Sequence, residues 1–327
     1  MAIHMFQQLI DTLKKSPKKI VFTEGTDARI LEASARLLAG TFLTPILIGN
    51  VDAVHAAAEE AGFNIRGAEI IDPETYPEMD KMVDTMVELR KGKMTADECR
   101  AALKKGNYFG TMLVKMGVAD CLLGGATYST ADTVRPALQL VKTKPGNKIV
   151  SSCFIMVREG VGDNTVLAMG DCAINIKPTE DELVEIAVET AETAKTFGID
   201  PKIAFLSYST LGSGKGEDVD KMRNACAKAK ALRPDLEIDG ELQFDAAFSP
   251  VVAQTKCKGS PVAGQANTFI FPDINAGNIG YKIAQRLGGF EAYGPILQGL
   301  NAPINDLSRG CNADEVYQMA IITAGLK

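Results

Sequence analysis

The sequence predicts an α/β protein with two domains, each built on a mostly parallel sheet that helices cover. Short apolar runs alternate with segments of helical apolar spacing along almost all 327 residues. This alternation is typical of parallel sheets, because parallel neighbours need a helical crossover between them. The length also exceeds the size at which one hydrophobic core usually stops growing, which favours two domains.

Seven apolar runs have the length of buried strands, and most of them end in Gly, Ser, Thr or Asn. They are KKIVFTEG, TPILIGN, AEIID, DCLLGGA, KIAFLSYST, NTFIFPDI and GPILQGL. Between them lie segments with helical spacing, namely ARILEASARLLAG, DAVHAAAEEAG, PEMDKMVDTMVELRK, TEDELVEIAVETAETAKTF, EDVDKMRNACAKAKAL and NIGYKIAQRLG. Thr179 and Glu182 have the spacing of a capping box, which predicts the start of the fourth of these helices.

One segment interrupts the alternation of strand and helix. In SSCFIMVREGVGDNTVLAMGDCAI, residues 151–174, two strand-like runs surround Gly160, Gly162, Asp163 and Asn164. Apolar runs on both sides of such turn residues predict a β-hairpin. We place a domain boundary just before it, near Pro145 to Lys148.

Composition excludes several classes of function. With 23% charged residues and a net charge of −6, the surface gives no electrostatic support to nonspecific binding of nucleic acid or anionic membranes. The seven cysteines lie far apart without a C-x-x-C pair, so we expect free thiols in a reducing cytosol and no metal site. No signal segment opens the sequence and no apolar run approaches 18 residues, so we expect a cytoplasmic protein.

The segment GPILQGLNAPINDLSRGCNADEVY places Arg309 beside Asp314 and Glu315 at a predicted strand-to-helix junction. The helix that follows would point the positive end of its dipole at the loop, where an anion is stabilised. An arginine and carboxylates together can hold an anion while a proton moves. Asn312 and Glu315 also have capping-box spacing, and on local geometry alone a cap is the favoured interpretation of Glu315.

Ligands of open α/β sheets bind beyond the carboxyl ends of the strands, so polar residues that follow strands are candidate ligand contacts. The loop GGATYSTADTVRP carries Thr127, Ser129 and Thr130 before a helix that contains Arg135. These hydroxyls predict a phosphate site. The alternative is that Ser129 or Thr130 only caps that helix.

The glycine-rich loop LGSGKGED fits neither of two well-known nucleotide motifs. A P-loop would need Gly at position 209, where Ser209 stands, and Ser or Thr at position 216, where Gly216 stands. A dinucleotide fingerprint fails at Glu217. A plain flexible turn is the favoured interpretation of this loop, and we keep a phosphate contact through its backbone N–H groups as the alternative.

Only two histidines are present, which constrains the choice of general base. His4 and His55 both lie in predicted amphipathic helices, where a solvated or packed histidine is commoner than a catalytic one. General-base catalysis therefore falls to a carboxylate or a cysteine.

The chain resembles the phosphate acetyltransferase family, from KKIVFTEGTDARILEAS through VELRKGKMT, LGGATYSTADTVRPALQ, LSYSTLGSGKG, DGELQFDAA and FPDINAGNIGYKIAQRL to the LSRGCNADEVY segment. The resemblance implies reversible transfer of acetyl between coenzyme A and phosphate. It also implies an architecture like that of isocitrate and isopropylmalate dehydrogenases, with two α/β domains around a cleft, and a homodimer. Residues 1–146 with 297–327 would form the first domain and residues 147–296 the second.

The resemblance assigns roles to individual residues. The family's catalytic arginine and serine fall on Arg309 and Ser308, and its CoA-binding arginines on Arg90 and Arg135. The acyl phosphate site implied by the same motifs comprises Thr127, Ser129, Thr130, Ser209, Tyr281 and Arg309. CoA and phosphate are substrates, and we expect no metal and no other cofactor.

The family's catalytic base is an aspartate seven positions after the serine, and here the sequence departs from the pattern. Glu315 occupies that position and Asp314 precedes it. We favour Glu315 by register, because one step along a helix turns a side chain by about 100°.

We expect direct attack of CoA thiolate on the acetyl group in a ternary complex, with a covalent route through Cys311 as the alternative. A phosphate butyryltransferase and a non-catalytic domain that binds acyl-CoA or acyl phosphate are the alternative functions. Acyl preference depends on pocket size, and each methylene changes discrimination by only about 1–3 kcal/mol.

Overall fold

The structure, a computed structural model, describes residues 2–160 and 165–326, with side chains from residue 6 onward. The chain forms two compact units, each with one sheet. The five-stranded unit comprises Phe6–Pro145 and Leu300–Lys327, and the six-stranded unit comprises Met1–Met5 and Gly146–Gly299. The predicted domain division, residues 1–146 with 297–327 and residues 147–296, stays a prediction.

The strands are, in chain order, β1 Lys18–Phe22, β2 Leu43–Ile48, β3 Glu69–Ile71, β4 Cys121–Gly124, β5 Ser151–Arg158, β6 Thr165–Gly170, β7 Lys202–Leu206, β8 Glu237–Leu242, β9 Thr268–Ile270, β10 Glu291–Gln298 and β11 Ile304–Asp306. The α-helices are α1 Ala2–Lys15, α2 Ala28–Gly40, α3 Val51–Ala61, α4 Met79–Arg90, α5 Ala96–Leu103, α6 Gly106–Lys115, α7 Thr130–Pro136, α8 Glu180–Thr196, α9 Glu217–Leu232, α10 Phe244–Phe248, α11 Pro250–Lys256, α12 Ile274–Arg286 and α13 Ala313–Gly325. A π-helical segment, Ala137–Val141, continues α7. None of the described helices is both long and apolar enough to cross a membrane.

The sheet of the five-stranded unit is entirely parallel, in the order β11-β4-β1-β2-β3. Its central strand β1 buries Ile20, Val21 and Phe22 completely, as expected of a strand with helices on both faces. Helix α6 packs against β1 and β4, and α13 packs against α2 and β4. The carboxyl ends of β11, β4 and β1 therefore lie side by side.

The sheet of the six-stranded unit is mixed, in the order β10-β5-β6-β9-β7-β8. The pairs β10/β5 and β5/β6 are antiparallel, and the other three pairs are parallel. The predicted hairpin is confirmed as the β5/β6 pair, whereas Gly162, Asp163 and Asn164 lie outside the described residues. Thr179 and Glu182 form the predicted capping box of α8, which satisfies two backbone groups at the start of that helix.

The predicted fold class is confirmed, and all seven apolar runs form strands or lie within one. The sequence analysis missed β8 and β11. In β8, Glu237, Asp239 and Glu241 alternate with apolar residues, so the apolar run that marks a buried strand is absent. Strand β11 is only three residues long. The short helices α5 and α6 were also missed, although Thr95 and Glu98 form a capping box at the start of α5.

We predict that Gly106→Ala destabilises the five-stranded unit by about 1–3 kcal/mol. A Cβ atom at Gly106 would lie 2.6 Å from the backbone oxygen of Thr23, so the first turn of α6 would have to move away from the end of β1. Urea unfolding would measure the loss. Lys115→Ala, at an exposed position of the same helix, is the control and should change stability by about 0.5 kcal/mol or less. Equal stability of the two variants would contradict the close approach.

Candidate functional site

Three loops meet at the carboxyl edge of the five-stranded sheet, because their strands are neighbours. The β1 loop is residues 23–27, the β4 loop is residues 125–129, and the β11 loop is residues 307–312. Each leads into a helix, α2, α7 or α13, whose first residues point backbone N–H groups toward this edge. In α/β proteins this edge is the usual place for a ligand.

The guanidinium of Arg29, in the first turn of α2, joins the β4 and β11 loops. Its Nη2 donates to the carbonyl of Ala126 at 3.0 Å. Its Nη1 donates to the carbonyls of Arg309 at 2.9 Å and Cys311 at 3.1 Å. Asp27 accepts from Nε and Nη2 of the same group and thereby fixes its plane. Hydrogen bonding to Asp27 raises the pKa of Arg29, and the same contact lowers the pKa of Asp27.

The carboxylate of Glu24, in the β1 loop, holds the backbone of the β4 loop. Its Oε1 accepts from the amides of Gly125 at 3.0 Å and Thr127 at 3.2 Å. Its Oε2 accepts from the hydroxyl of Thr23 at 2.7 Å. The Thr23 hydroxyl also lies 2.8 Å from the phenol oxygen of Tyr128. Burial raises the pKa of Glu24, and burial likewise raises the pKa of Tyr128.

A buried carboxylate, Asp306 at the end of β11, fixes the start of α7. Its two oxygens accept from the hydroxyls of Thr130 at 2.5 Å and Thr133 at 2.6 Å. Asp306 is 3% exposed and forms no ion pair among the described residues. Desolvation by burial therefore raises its pKa.

A pocket of about 460 Å³ opens at this edge of the sheet. Its wall includes the cationic residues Lys105 and Arg135, several hydroxyl-bearing residues and the carboxylates of Glu24 and Asp132. Its lining residues are Thr23, Glu24, Lys105, Gly106, Asn107, Tyr108, Thr127, Tyr128, Asp132 and Arg135. The N-terminus of α6 carries no side-chain cap, and Lys105 and Arg135 add positive charge. The pocket is therefore suited to a phosphate group.

The residues predicted in the GGATYSTADTVRP segment have separate positions. Thr127 and Arg135 line the pocket. Ser129 is the N-cap residue of α7, but its hydroxyl donates to the side chain of Asp132 and accepts from no helix amide. The hydroxyl of Thr130 donates to Asp306. Direct phosphate contacts by Ser129 and Thr130 stay predictions.

Arg90, the other predicted CoA ligand, is the last residue of α4 and does not line this pocket. Its Nε atom is buried and has no hydrogen-bond partner among the described residues. Binding of CoA by Arg90 stays a prediction.

Ser308 and Arg309 lie exposed in the β11 loop. The hydroxyl of Ser308 accepts from the amide of Gly310 at 3.2 Å, and the carbonyl of Arg309 accepts from Arg29. The loop backbone is thus fixed while the Arg309 side chain points to solvent. The thiol of Cys311, in contrast, is buried, and burial raises its pKa.

The two candidate bases have different partners. Glu315 completes the capping box of α13, where one of its oxygens, Oε2, accepts from the amide of Asn312 at 2.9 Å. Asp314 pairs with Arg36 of α2 at 2.6 Å. The capping interpretation of Glu315 is therefore confirmed, and its role as a base stays a prediction.

Ser209 and Tyr281 belong to the six-stranded unit. Ser209 is fully buried, and its hydroxyl donates to Glu241 at 2.9 Å and accepts from the amide of Gly214 at 2.8 Å. Glu241 also accepts from the amide of Gly212 at 2.7 Å. The amides of Gly212 and Gly214 in the glycine-rich loop are therefore already hydrogen-bonded to protein side chains. Tyr281 stacks on Phe154 with ring centroids 4.0 Å apart. Phosphate contacts by Ser209 and Tyr281 stay predictions.

Sequence analysis missed Glu24, Arg29, Lys105 and Tyr128. A signal existed for the first two, because TEGTDAR follows an apolar run and is as polar as the loops that were selected. For Lys105 none was available, because helices α5 and α6 were not predicted.

All seven cysteines are free and buried. Among residues 2–160 and 165–326, no group of His, Cys, Asp and Glu side chains could hold a metal ion. His55 is exposed on α3, and the side chain of His4 lies outside the description.

Comparison with known proteins shows similarity over nearly the whole chain. The family model described as "Phosphate acetyl/butaryl transferase" matches residues 4–324. A phosphate acetyltransferase of Bacillus subtilis (strain 168) is 53% identical over 320 residues, which cover 98% of each chain. The crystal structure of a phosphotransacetylase from Streptococcus pyogenes is 55% identical with a TM-score of 0.95, covering 99% of this chain and 98% of that one.

A more distant structure shows the fold alone. It is attributed to a 4-hydroxythreonine-4-phosphate dehydrogenase from Salmonella typhimurium and is 13% identical, with a TM-score of 0.55. It covers 95% of this chain and 100% of that one. The expected likeness to a dehydrogenase fold is thereby confirmed.

We predict that Asp306→Asn changes how stability depends on pH. A carboxyl group whose pKa is raised by folding stabilises most below its unfolded pKa, near 3.8, and this contribution is lost as pH rises through the folded pKa. The thermal midpoint of Asp306→Asn, relative to that of the unchanged chain, should therefore rise as pH increases above about 4.

Asp235→Asn is the control of opposite sign. Arg233 donates to Asp235 and lowers its pKa to about 2. The relative midpoint of that variant should fall slightly between about pH 2 and about pH 4, because solvent screening weakens this surface pair. A pH-independent difference for Asp306→Asn would show that Asp306 titrates normally in the folded protein.

Proposed function

Because the chain belongs to the phosphate acetyl/butyryl transferase family of acyltransferases, we propose that it transfers acetyl reversibly between acetyl-CoA and inorganic phosphate. The products are acetyl phosphate and CoA. One observation carries the proposal beyond family membership: the loop with Ser308 and Arg309 and the loop that leads to Arg135 in the pocket wall follow strands that are neighbours in one sheet. A single edge thus offers groups for both the phosphate and the acyl carbonyl.

In the proposed reaction, a carboxylate takes the proton of the CoA thiol and the thiolate attacks the acetyl carbonyl of acetyl phosphate. The carbon–sulfur bond forms, the carbon–oxygen bond to phosphate breaks, and inorganic phosphate leaves. Arg309 neutralises the acyl phosphate, and the Ser308 hydroxyl donates to the oxyanion of the tetrahedral transition state. Loss of one such donor typically reduces the rate by about 10²–10³.

The fixed backbone of the β11 loop supports these two roles. Arg29 holds the carbonyls of Arg309 and Cys311, so the loop conformation is set before substrate arrives. Preorganised donors stabilise a transition state without a further reorganisation cost. The Arg309 side chain itself is exposed and can reach a ligand.

Glu315 is the base in this proposal. Its cap uses Oε2, while Oε1 accepts no hydrogen bond among the described residues. The cap therefore orients the carboxylate and leaves one oxygen for a proton. Asp314, paired with Arg36, is the alternative base.

Direct transfer in a ternary complex is favoured over an acyl-enzyme on Cys311. The nucleophile of such a route would be the thiolate, and burial raises the pKa of this thiol. Arg135 and Arg90 would hold the phosphates of CoA. In this proposal CoA and phosphate act only as substrates, and no metal or other cofactor takes part. The proposal also includes the homodimer implied by the family resemblance and the cytoplasmic location expected from the sequence.

We predict rapid thioester formation when the protein is mixed with CoA and acetyl phosphate, followed by ultraviolet absorbance. Butyryl phosphate, run in parallel, should react at least about tenfold less efficiently, because each of its two added methylenes changes discrimination by about 1–3 kcal/mol. Preference for butyryl phosphate would identify a phosphate butyryltransferase. Binding of acetyl-CoA without turnover would identify a non-catalytic domain.

We predict that Glu315→Gln slows acetyl transfer by about 10²–10⁴ with little change in the KM for CoA. Glutamine can still accept the Asn312 amide, so the cap remains while the base is lost. Glu182→Gln changes the corresponding residue of the α8 capping box and is the matched control, with activity unchanged. A fully active Glu315→Gln enzyme beside a crippled Asp314→Asn enzyme would assign the base to Asp314.

A further inference from the structure

Glu24 is a partly buried carboxylate that the proposed reaction does not use. It faces no cation within hydrogen-bond distance among the described residues. Its oxygens accept from the amides of Gly125 and Thr127 and from the hydroxyl of Thr23. Two of these three donors belong to the backbone of the β4 loop, which comes about a hundred positions later in the chain. The carboxylate is therefore part of the support of that loop.

The β4 loop is held from its other side by Asp306. A Cβ atom on Gly125 would lie 2.2 Å from Oδ1 of Asp306, and the backbone of Gly125 has a φ of 98°, which favours glycine. Asp306 also accepts the hydroxyl of Thr130, just beyond the loop. The loop thus lies between a carboxylate from the β1 side and a carboxylate from the β11 side. Its conformation is determined at both ends.

This support acts on residues that line the pocket. Thr127, whose amide Glu24 holds, is exposed in the pocket wall, and Arg135 follows in the helix that the loop begins. A shift of the loop would move both groups relative to a bound phosphate. Misplacement by about 1 Å can change a rate by about a hundredfold.

We propose that Glu24 is a positioning residue that holds the β4 loop so that Thr127 and Arg135 meet the phosphate group of the substrate. This inference rests on the proposed function, since it assumes that the pocket beside this loop receives acetyl phosphate or inorganic phosphate. Glu24 itself lines the pocket, and in this proposal it acts through the loop rather than on a reacting atom.

The test compares three substitutions of Glu24 in the full-length protein. Glu24→Ala removes the acceptor for both amides, and the KM for acetyl phosphate should rise by about 10–100-fold, while kcat at saturation falls by less than about threefold. Glu24→Asp withdraws the carboxylate by one methylene and should raise KM in the same direction. In Glu24→Gln the amide oxygen can accept both backbone amides, and the amide nitrogen can donate to Thr23. Its KM should stay within about threefold of that of the unchanged chain.

Glu98→Ala is the matched control. Glu98 also accepts from a backbone amide and a hydroxyl in the five-stranded unit, at the start of α5, but it does not line the pocket. Its removal should lower the thermal midpoint without changing the KM for acetyl phosphate. A general loss of stability would therefore appear in both alanine variants, and the change of KM only in that of Glu24.

Two results would overturn the inference. The first is an unchanged KM for acetyl phosphate in both Glu24→Ala and Glu24→Asp. The second is a Glu24→Gln enzyme as impaired as Glu24→Ala, which would mean that the negative charge of Glu24, and not its ability to accept hydrogen bonds, is required. If the unchanged chain transfers no acyl group, the proposed function fails by itself. Calorimetric binding of inorganic phosphate then decides the role of Glu24, because weaker binding to Glu24→Ala supports it and equal binding overturns it.

Discussion

The guanidinium of Arg29 is the interaction on which the candidate site depends. One planar group, fixed by Asp27, donates to backbone carbonyls of both the β4 and β11 loops. Loops that lead into helices carry polar backbone groups that need partners when water is excluded. A lysine could not reach these carbonyls and Asp27 together, because its single ammonium lacks the fork of donors that arginine has. The parallel sheet brings the loops side by side, and this contact fixes their relative positions.

Negatively and positively charged side chains have different roles at the edge of the five-stranded sheet. The partly buried carboxylate of Glu24 and the buried carboxylate of Asp306 accept from amides and hydroxyls and hold the loops in place. Arg135 and Lys105 stand in the pocket wall, and Arg309 is exposed in the β11 loop. A chain with a net charge of −6 thus gathers positive charge where an anionic substrate would bind. The carboxylates of Glu24 and Asp306 accept hydrogen bonds from protein groups, which reduces their electrostatic repulsion of an anionic ligand.

Sequence patterns predicted strands wherever a buried strand is a continuous apolar run, as in Val21 and Phe22 of β1. They failed at β8, where the charged residue Glu241 is buried and accepts a hydrogen bond from Ser209 of the glycine-rich loop. The local sequence of β8 does not show this contact. The same limit applies to the site. Thr127 and Arg135 were found because polar residues follow a strand. Glu24 was missed because its role depends on amides about a hundred positions away, and only the folded sheet brings these groups together.

The end of the β11 loop shows how neighbouring carboxylates acquire different roles. One step along a helix turns the side chain by about 100°, so Asp314 points to α2 and pairs with Arg36, whereas Glu315 turns back toward the N-cap residue. The capping bond directs the Glu315 carboxylate toward the loop that carries Ser308 and Arg309. Asp314 instead forms an ion pair with Arg36. The capping bond uses one oxygen of Glu315 and orients its carboxylate at the end of the loop, and this is the observation that favours Glu315 over Asp314 in the proposed reaction.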